Sequence, residues 1–420
     1  MQHNIPVDTK APLINEIANA VERCVHCGFC LPTCPTYRVL RNEMDSPRGR
    51  IILMKSVLEE KIDLEDALPY IDRCLGCLSC VTACPSGVPY NEMITPFKVY
   101  ASKRRKRTFT DRTSRRLILE TIPYPTRFRY AAGAGRLAKP FAGLLPESFR
   151  GMLGMIPESL PQSENLPEVF PAEGKMRARV AILSGCVQQV VAPEINWSTL
   201  RVLAKNGVEV LIPPQQGCCG AIAIHTGDID LARTFAANNM HAFPMNVDAI
   251  ITNAAGCGSG MKDYPLIFKG TDLENKARLF TEKVQDISVF LRDFGIIEPP
   301  SLKKPLRVAY HDACHLSHAQ GITIEPRELL GQIQNLTLLN LPESELCCGS
   351  AGTYNLEQPE TAHLLGERKV NHIIEVGAEA VVTGNIGCLV QLRSNLLAAG
   401  LNIPVWHTLE ILDLAYREKL

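Results

Sequence analysis

The sequence carries no net charge: 44 Lys and Arg are matched by 44 Asp and Glu in 420 residues. A chain that grips nucleic acid or an acidic partner over a wide area shows a basic excess, so no nucleic-acid partner is expected. No run approaches the roughly 18 apolar residues of a transmembrane helix. The opening MQHNIPVDTKAPLINEIANAVER has no apolar core segment, so no secretory signal is predicted and a cytoplasmic location is expected. Outside an oxidising compartment a disulfide framework has no rationale. The 16 cysteines are therefore expected to stay reduced, with metal ligation as their use.

Eight of them fall in two copies of one pattern. CVHCGFCLPTCP starts at Cys24 and CLGCLSCVTACP at Cys74. The spacing is Cys-x2-Cys-x2-Cys-x3-Cys-Pro in both. Zinc sites are usually built from well-separated pairs of ligands. Three thiolates at successive three-residue steps instead wrap one corner of a cube, one sulfur on each of three irons. Proline forces the residue before it into extended backbone, which carries the fourth cysteine away. In two-cluster ferredoxins that fourth cysteine ligates the other cluster. One 4Fe–4S cluster is expected on Cys24, Cys27, Cys30 and Cys84. A second is expected on Cys34, Cys74, Cys77 and Cys80. Two zinc knuckles are the competing expectation. His26, inside the first motif, is expected to tune its cluster and not to ligate iron. Between the motifs, RGRIILMKSVLEEKI has apolar residues at 51, 54, 57, 58 and 62, the spacing of a helix. Ser46 and Pro47 suit its cap and first turn. Residues 1–99 thus read as an α-helical two-cluster ferredoxin module.

Residues 100–175 change character. KVYASKRRKRTFTDRTSRR (98–116) is strongly basic, and prolines then recur. The segment reads as a connector with short helices. Lys103–Arg107 is either a solvated helix face or a peripheral contact with an acidic membrane surface or partner subunit. GAGRLA (133–138) fits a dinucleotide fingerprint in form only. It follows no strand and has no acidic residue at the required offset, so no flavin is expected on this chain.

The remaining eight cysteines mark a long repeat. Cys186, Cys218, Cys219 and Cys257 recur as Cys314, Cys347, Cys348 and Cys388, offset by 128, 129 and 131 residues. A period of that length means duplicated domains, 176–300 and 301–420. Short β-rich runs alternate with helical patterns: Val180–Leu183, Val208–Ile212 and Ala249–Thr252, then Val308–Tyr310, Leu336–Asn340 and Ala380–Thr383. The alternation implies parallel sheets in α/β domains. Every cysteine sits past the C-terminal end of a strand, where open α/β sheets bind ligands. Convergence of four thiols in each half is expected, with at least one half holding a further cluster or metal. His311, His315 and His318 flank Cys314. They are either ligands or proton relays, or loop histidines bonded to backbone.

Tandem ferredoxin motifs followed by two Cys-Cys-Gly (CCG) domains resemble the iron–sulfur subunits of glycolate oxidase. The resemblance rests on CVHCGFC, PTCPTY, PRGRI, GCCGA, LCCGSAGTY and NIGC, and spans nearly the whole chain. More distantly the chain resembles the iron–sulfur subunits of glycerol-3-phosphate and lactate dehydrogenases and the CCG-containing subunit of heterodisulfide reductase. The longer family pattern ends each domain in Cys-x2-Cys, but Gly260 and Gln391 stand at those final positions. Each half therefore offers four thiols, with His315 as the expected stand-in at Gln391. The resemblance implies an electron-transfer subunit of a 2-hydroxy-acid dehydrogenase, with FAD on partner subunits and a quinone or other acceptor. A thiol/disulfide redox subunit, the iron–sulfur subunit of a lactate or glycerol-3-phosphate dehydrogenase, and a non-enzymatic zinc- or cluster-stabilised scaffold are the alternatives.

Overall fold

The structure is a computed structural model, and it describes residues 1–6, 12–144, 153, 160–162 and 165–420. The N-terminal module is helical. Its largest elements are the helices Pro12–Glu22, Pro47–Leu58, Leu64–Asp72 and Asn91–Arg104. The helix between the motifs starts where the sequence places it. The Ser46 side chain accepts from Gly49 N–H at 3.0 Å and Pro47 occupies the first turn. Its apolar stripe, Ile51, Met54, Val57 and Leu58, is buried against Ile17, Ile71, Met93 and Phe97.

Nine strands follow among the described residues. β1 (Val169–Phe170), β2 (Ala178–Leu183), β3 (Val208–Leu211), β4 (Ala249–Thr252) and β5 (Val284–Asp286) form one sheet in the order β1-β3-β2-β4-β5. β6 (Leu306–His311), β7 (Leu336–Leu339), β8 (Ala380–Thr383) and β9 (Val405–His407) form a second in the order β7-β6-β8-β9. All pairings are parallel except that of β1 with β3. β4 and β8 are buried at every residue, as strands covered on both faces must be. The two sheets share one core: Val180, Ile182 and Val210 of the first meet Val308, Tyr310 and Val382 of the second through helices Glu194–Lys205, Ile287–Phe294 and Thr408–Tyr416. The edge strands β1, β5 and β9 are too short to leave a readable alternation, and the sequence did not announce them.

The segment read as a connector does more than connect. Helices Phe109–Thr121 and Pro125–Ala138 lie over the open side of the two sheets, and β1 joins the first sheet. GAGRLA sits inside the second of these helices, not at a strand–helix turn. Part of the basic run is consumed internally: Arg105 grips Asp72 at 3.0 and 2.6 Å, and Arg107 pairs with Asp111 at 2.8 Å. No helix among the described residues is long and apolar enough to cross a membrane.

The ferredoxin module is clamped to both halves. Ser102 donates to the Gly227 carbonyl at 2.6 Å, and any Cβ at Gly227 would meet the Lys98 carbonyl at 2.4 Å. On the other side Tyr354 donates to the Arg73 carbonyl at 3.1 Å, and Arg38 pairs with Glu343.

Candidate metal centres and the cavity between the halves

The loop of each ferredoxin motif turns through left-handed residues between its cysteines: His26 and Gly28 in the first, Gly76 and Leu78 in the second. Such turns aim successive N–H groups at one point, which suits an anionic ligand. Cys24, Cys27, Cys30 and Cys84 line one pocket; Cys34, Cys74 and Cys77 line the next, and Cys80 stands between the two. Each group of three thus receives its fourth cysteine from the other motif. Among the described residues, one trio of Cys, His or carboxylate donor atoms lies within 4.8 Å, and it lies elsewhere. A tetrahedral zinc with bonds of about 2.3 Å holds its thiolates closer than that. The wider ferredoxin sets fit a multi-iron body better than a single ion.

The two sets differ in setting. Cys27 is exposed between exposed Val25 and Phe29, and Cys30 and Cys84 are half-buried. The other set is buried, and so is its counter-charge. Arg50 is wholly enclosed, donating to the Tyr70 carbonyl at 2.7 Å, to Thr36 at 3.1 Å and to Asp45 at 3.3 Å, with the Cys34 sulfur at 3.8 Å. Burial pushes the Cys74 thiol up, but Arg50 and Lys98 outweigh it and hold it below its ordinary value. The His26 Nε2 lies 2.9 Å from the Met1 sulfur.

The eight remaining cysteines line a single cavity of about 560 Å³, where separate pockets were expected. Within each half the sulfurs form a connected chain. Cys186 and Cys218 are 3.7 Å apart, and Cys219 links Cys218 to Cys257. Cys314 and Cys347 are 3.8 Å apart, and Cys348 links Cys347 to Cys388. The halves merge because helix Ala255–Lys262, which carries Cys257, packs on Cys314–Ser317, and Ala255 N–H donates to the Gly384 carbonyl at 3.1 Å. The glycine after each cysteine pair is required: Gly220 and Gly349 hold φ of 86° and 91°, and a Cβ at Gly349 would meet the Ala362 carbonyl at 2.7 Å. The missing fifth thiols also have a cause. A Cβ at Gly260 would meet that of Ala221 at 2.8 Å. The Gln391 side chain is committed to the Ala362 carbonyl and to Asn355, each at 3.2 Å.

Leu117, Ile118 and Phe128 of the two covering helices, with Ile122 between them, give the cavity an apolar roof, and Leu75 of the second ferredoxin motif reaches its wall. Cys77 packs in one buried cluster with Cys314 and Cys347. His225, which nothing in the sequence marked, lines the cavity with its ring 5.3 Å from that of His315. Burial lowers the pKa of both, so both are neutral at neutral pH.

The three histidines around Cys314 part company. His318 bonds Thr82 at 2.8 Å and the Glu345 carbonyl at 3.2 Å. His315 donates from Nε2 to the Gly76 carbonyl at 3.1 Å, facing the ferredoxin module. His315 Nε2 is thus committed to the ferredoxin module, and His315, expected as the stand-in at Gln391, is not in the donor trio that includes Cys388. His311, at the end of β6, is the one that reaches the thiols: its donor atom lies within 4.8 Å of those of Cys348 and Cys388.

Residues 20–88 match the family described as a 4Fe-4S dicluster domain, and residues 180–262 and 308–393 match the cysteine-rich domain family. The chain is 35% identical to the glycolate oxidase iron–sulfur subunit of Escherichia coli K12 over 409 residues, covering 96% of each. It is 34% identical to a probable glycolate oxidase iron–sulfur subunit of Bacillus subtilis, covering 90% of each. A fumarate reductase (CoM/CoB) subunit of Methanothermobacter marburgensis is 29% identical over 94% of this chain and 72% of that one. A hypothetical protein from Helicobacter pylori of known crystal structure shares the fold at a TM-score of 0.55 and 13% identity, over 99% of this chain and 74% of its own.

Proposed function

The chain belongs to the family of the glycolate oxidase iron–sulfur subunits, and from that premise we propose that it is the electron-transfer subunit of a flavin-dependent 2-hydroxy-acid (glycolate) dehydrogenase complex. FAD-binding partner subunits supply the electrons and a quinone-type carrier receives them. The observation that supports this most is the sequence of three environments: a surface cysteine set, a buried cysteine set, and a thiol-lined cavity against which the buried set packs.

In this reading Cys24, Cys27, Cys30 and Cys84 hold one 4Fe–4S cluster, and Cys34, Cys74, Cys77 and Cys80 the other. When bound, such clusters accept and release single electrons, which lets a two-electron flavin oxidation be divided. The chain supplies the surroundings. Exposed Val25 and Phe29 offer the partner an apolar contact beside Cys27. Arg50 and Lys98 favour the extra negative charge of a reduced state at the inner set. The CCG thiols hold a further cluster or metal at the cavity wall. The cavity has the size of a small-molecule site, and its apolar roof suits a quinone ring. His315 Nδ1, without a hydrogen-bond partner, is in the neutral ring an acceptor for a hydroquinone hydroxyl beside it. Phe109, Tyr130 and Leu137 stand exposed, as do Lys103, Lys106 and Arg112, a composition suited to an anionic bilayer surface.

The chain purified anaerobically should hold about eight irons in its N-terminal module. Alone it should reduce no dye with any 2-hydroxy acid, and should do so once flavin subunits are added. Substrate-dependent dye reduction by the isolated chain overturns the assignment. One observation favours a second reading: connected thiols on both walls of one cavity suit cleavage of a small disulfide. Reduction of such a disulfide by the dithionite-reduced chain, with no quinone reductase activity, would select it.

A further inference from the structure

The two halves place their cysteines alike, yet the second contains two polar groups that the first does not. Counting from the paired cysteine positions, His311 of β6 corresponds to Leu183 of β2. Counting from Cys-Cys-Gly, Lys369 corresponds to Met240. His311 is fully buried, and neither ring nitrogen has a hydrogen-bond partner. An imidazole placed so costs stability unless something binds it. Lys369 is 1% exposed, donates to the carbonyls of Glu343 and Ser344, and acts electrostatically on Cys347 and Cys348.

We propose that His311 is a metal ligand: its imidazole, with the Cys348 and Cys388 thiolates, holds one transition-metal ion in the second half, of the zinc or iron class, and supplies the donor that Gln391 does not. The trio lies within 4.8 Å, the compactness that donors to one ion need and that no other trio among the described residues reaches. The ring is carried on the last residue of β6 and Cys388 on the helix that follows the adjacent β8, so the parallel pairing of the two strands brings the donors together. The Ser344 carbonyl, which already accepts from Asp312 N–H at 3.2 Å, is the neighbouring backbone acceptor available to the second ring nitrogen and would fix its tautomer. The first half has Leu183 at this position and keeps an all-thiol set. The two halves are therefore chemically unequal sites, a thiolate site and a mixed imidazole–thiolate site.

This inference rests on the reading that the CCG halves hold metal, and the test separates the two. The full chain is purified anaerobically, and iron, zinc and acid-labile sulfide are counted per chain. The variants are His311→Leu, which copies the first half, His311→Cys and His315→Ala. The expected result is metal beyond the N-terminal iron in the wild type, its loss in His311→Leu with the N-terminal cluster signals intact, and its return in His311→Cys. His315→Ala should keep it. Because leucine fills the same volume, retention of the metal in His311→Leu means that His311 only packs, and overturns the ligand assignment alone. Absence of any metal beyond the N-terminal iron in the wild type overturns both readings. Should His311→Leu fail to fold, an imidazole signature in the zinc or iron X-ray absorption of wild-type chain, lost in His311→Cys, carries the assignment, and its absence overturns it.

Discussion

The two cysteine-rich halves share strand order, thiol placement and the glycine after each cysteine pair, but they differ in what surrounds the thiols. Leu183, Met240 and Gly260 leave the first set in apolar surroundings, while His311, Lys369 and Gln391 put polar groups around the second. The second set also packs against Cys77 of the buried ferredoxin motif. Duplication supplied a symmetric frame, and a few buried side chains made its two sites unequal. The ferredoxin motifs repeat the lesson: identical spacing, yet Cys27 of the first is exposed while Cys74, Cys77 and Cys80 of the second are buried near an enclosed arginine.

The comparison breaks most readily at the thiols themselves. Replacing Cys347 and Cys348 with Ser should abolish electron delivery to the acceptor while the N-terminal cluster signals persist. The same change at Cys218 and Cys219 should cost less. Steady-state turnover with the flavin subunits, read beside low-temperature spectra, decides this, and equal losses would make the halves functionally equivalent.

Next comes the pair of arginines beside the ferredoxin motifs. Arg50→Gln leaves Asp45 short of a buried partner and should cost about 3–5 kcal/mol. Arg48→Gln, at the outer motif on a half-exposed pair with Glu43, should cost no more than about 1 kcal/mol. Denaturant unfolding of the anaerobic chain measures both, and equal costs would remove the distinction between an outer and an inner set.

A third change restores a family cysteine. Gly260→Cys drives a Cβ against Ala221 and should destabilise by about 1–3 kcal/mol, with Ala221→Gly recovering part. Gln391→Cys should cost a similar amount for a different reason, the loss of two hydrogen bonds in a buried place. Rescue by Ala221→Gly in the second case as well would refute that division.

The smallest effect is at Glu343, which joins Arg38 of the ferredoxin module to Arg368 of the second half. Its hydrogen bond with Arg368 holds its carboxyl down to about 2. A carboxylate depressed in the folded state stabilises above its unfolded value, and that support is lost as pH falls from about 4.5 toward 2. Glu343→Gln should cost on the order of 1 kcal/mol at pH 7 and flatten the acid limb of the stability profile. An unchanged limb would mean that the contact is not what responds to acid there.

Much of this was legible in the sequence because it is periodic or repeated. The two ferredoxin motifs, the 128- to 131-residue repeat and the six longer strands all carry internal copies of themselves. What was not legible has no period. The roof helices hid behind prolines and a basic run, and their apolar face makes sense only against a cavity formed by distant thiols. His225 is a lone residue on a five-residue helix. Of the three histidines around Cys314, His315 and His318 bond backbone carbonyls, as the plainer expectation had it. His311 differs because it ends a strand, so its ring points inward between neighbouring strand ends.

The roof also fixes an order of manufacture. Residues 109–138 leave the ribosome before either half of the cavity they cover, and Cys388, a donor of the proposed centre, emerges far later, in the helix Ile386–Ala398. The N-terminal cluster module has all its cysteines by residue 84 and can be loaded early. The cavity wall cannot be complete until Cys388 has emerged, and by then its lid is already waiting. The proposed centre is therefore completed after the N-terminal cluster sites. A truncation that removes the last two strands should yield a protein with intact N-terminal clusters and an unfilled interior.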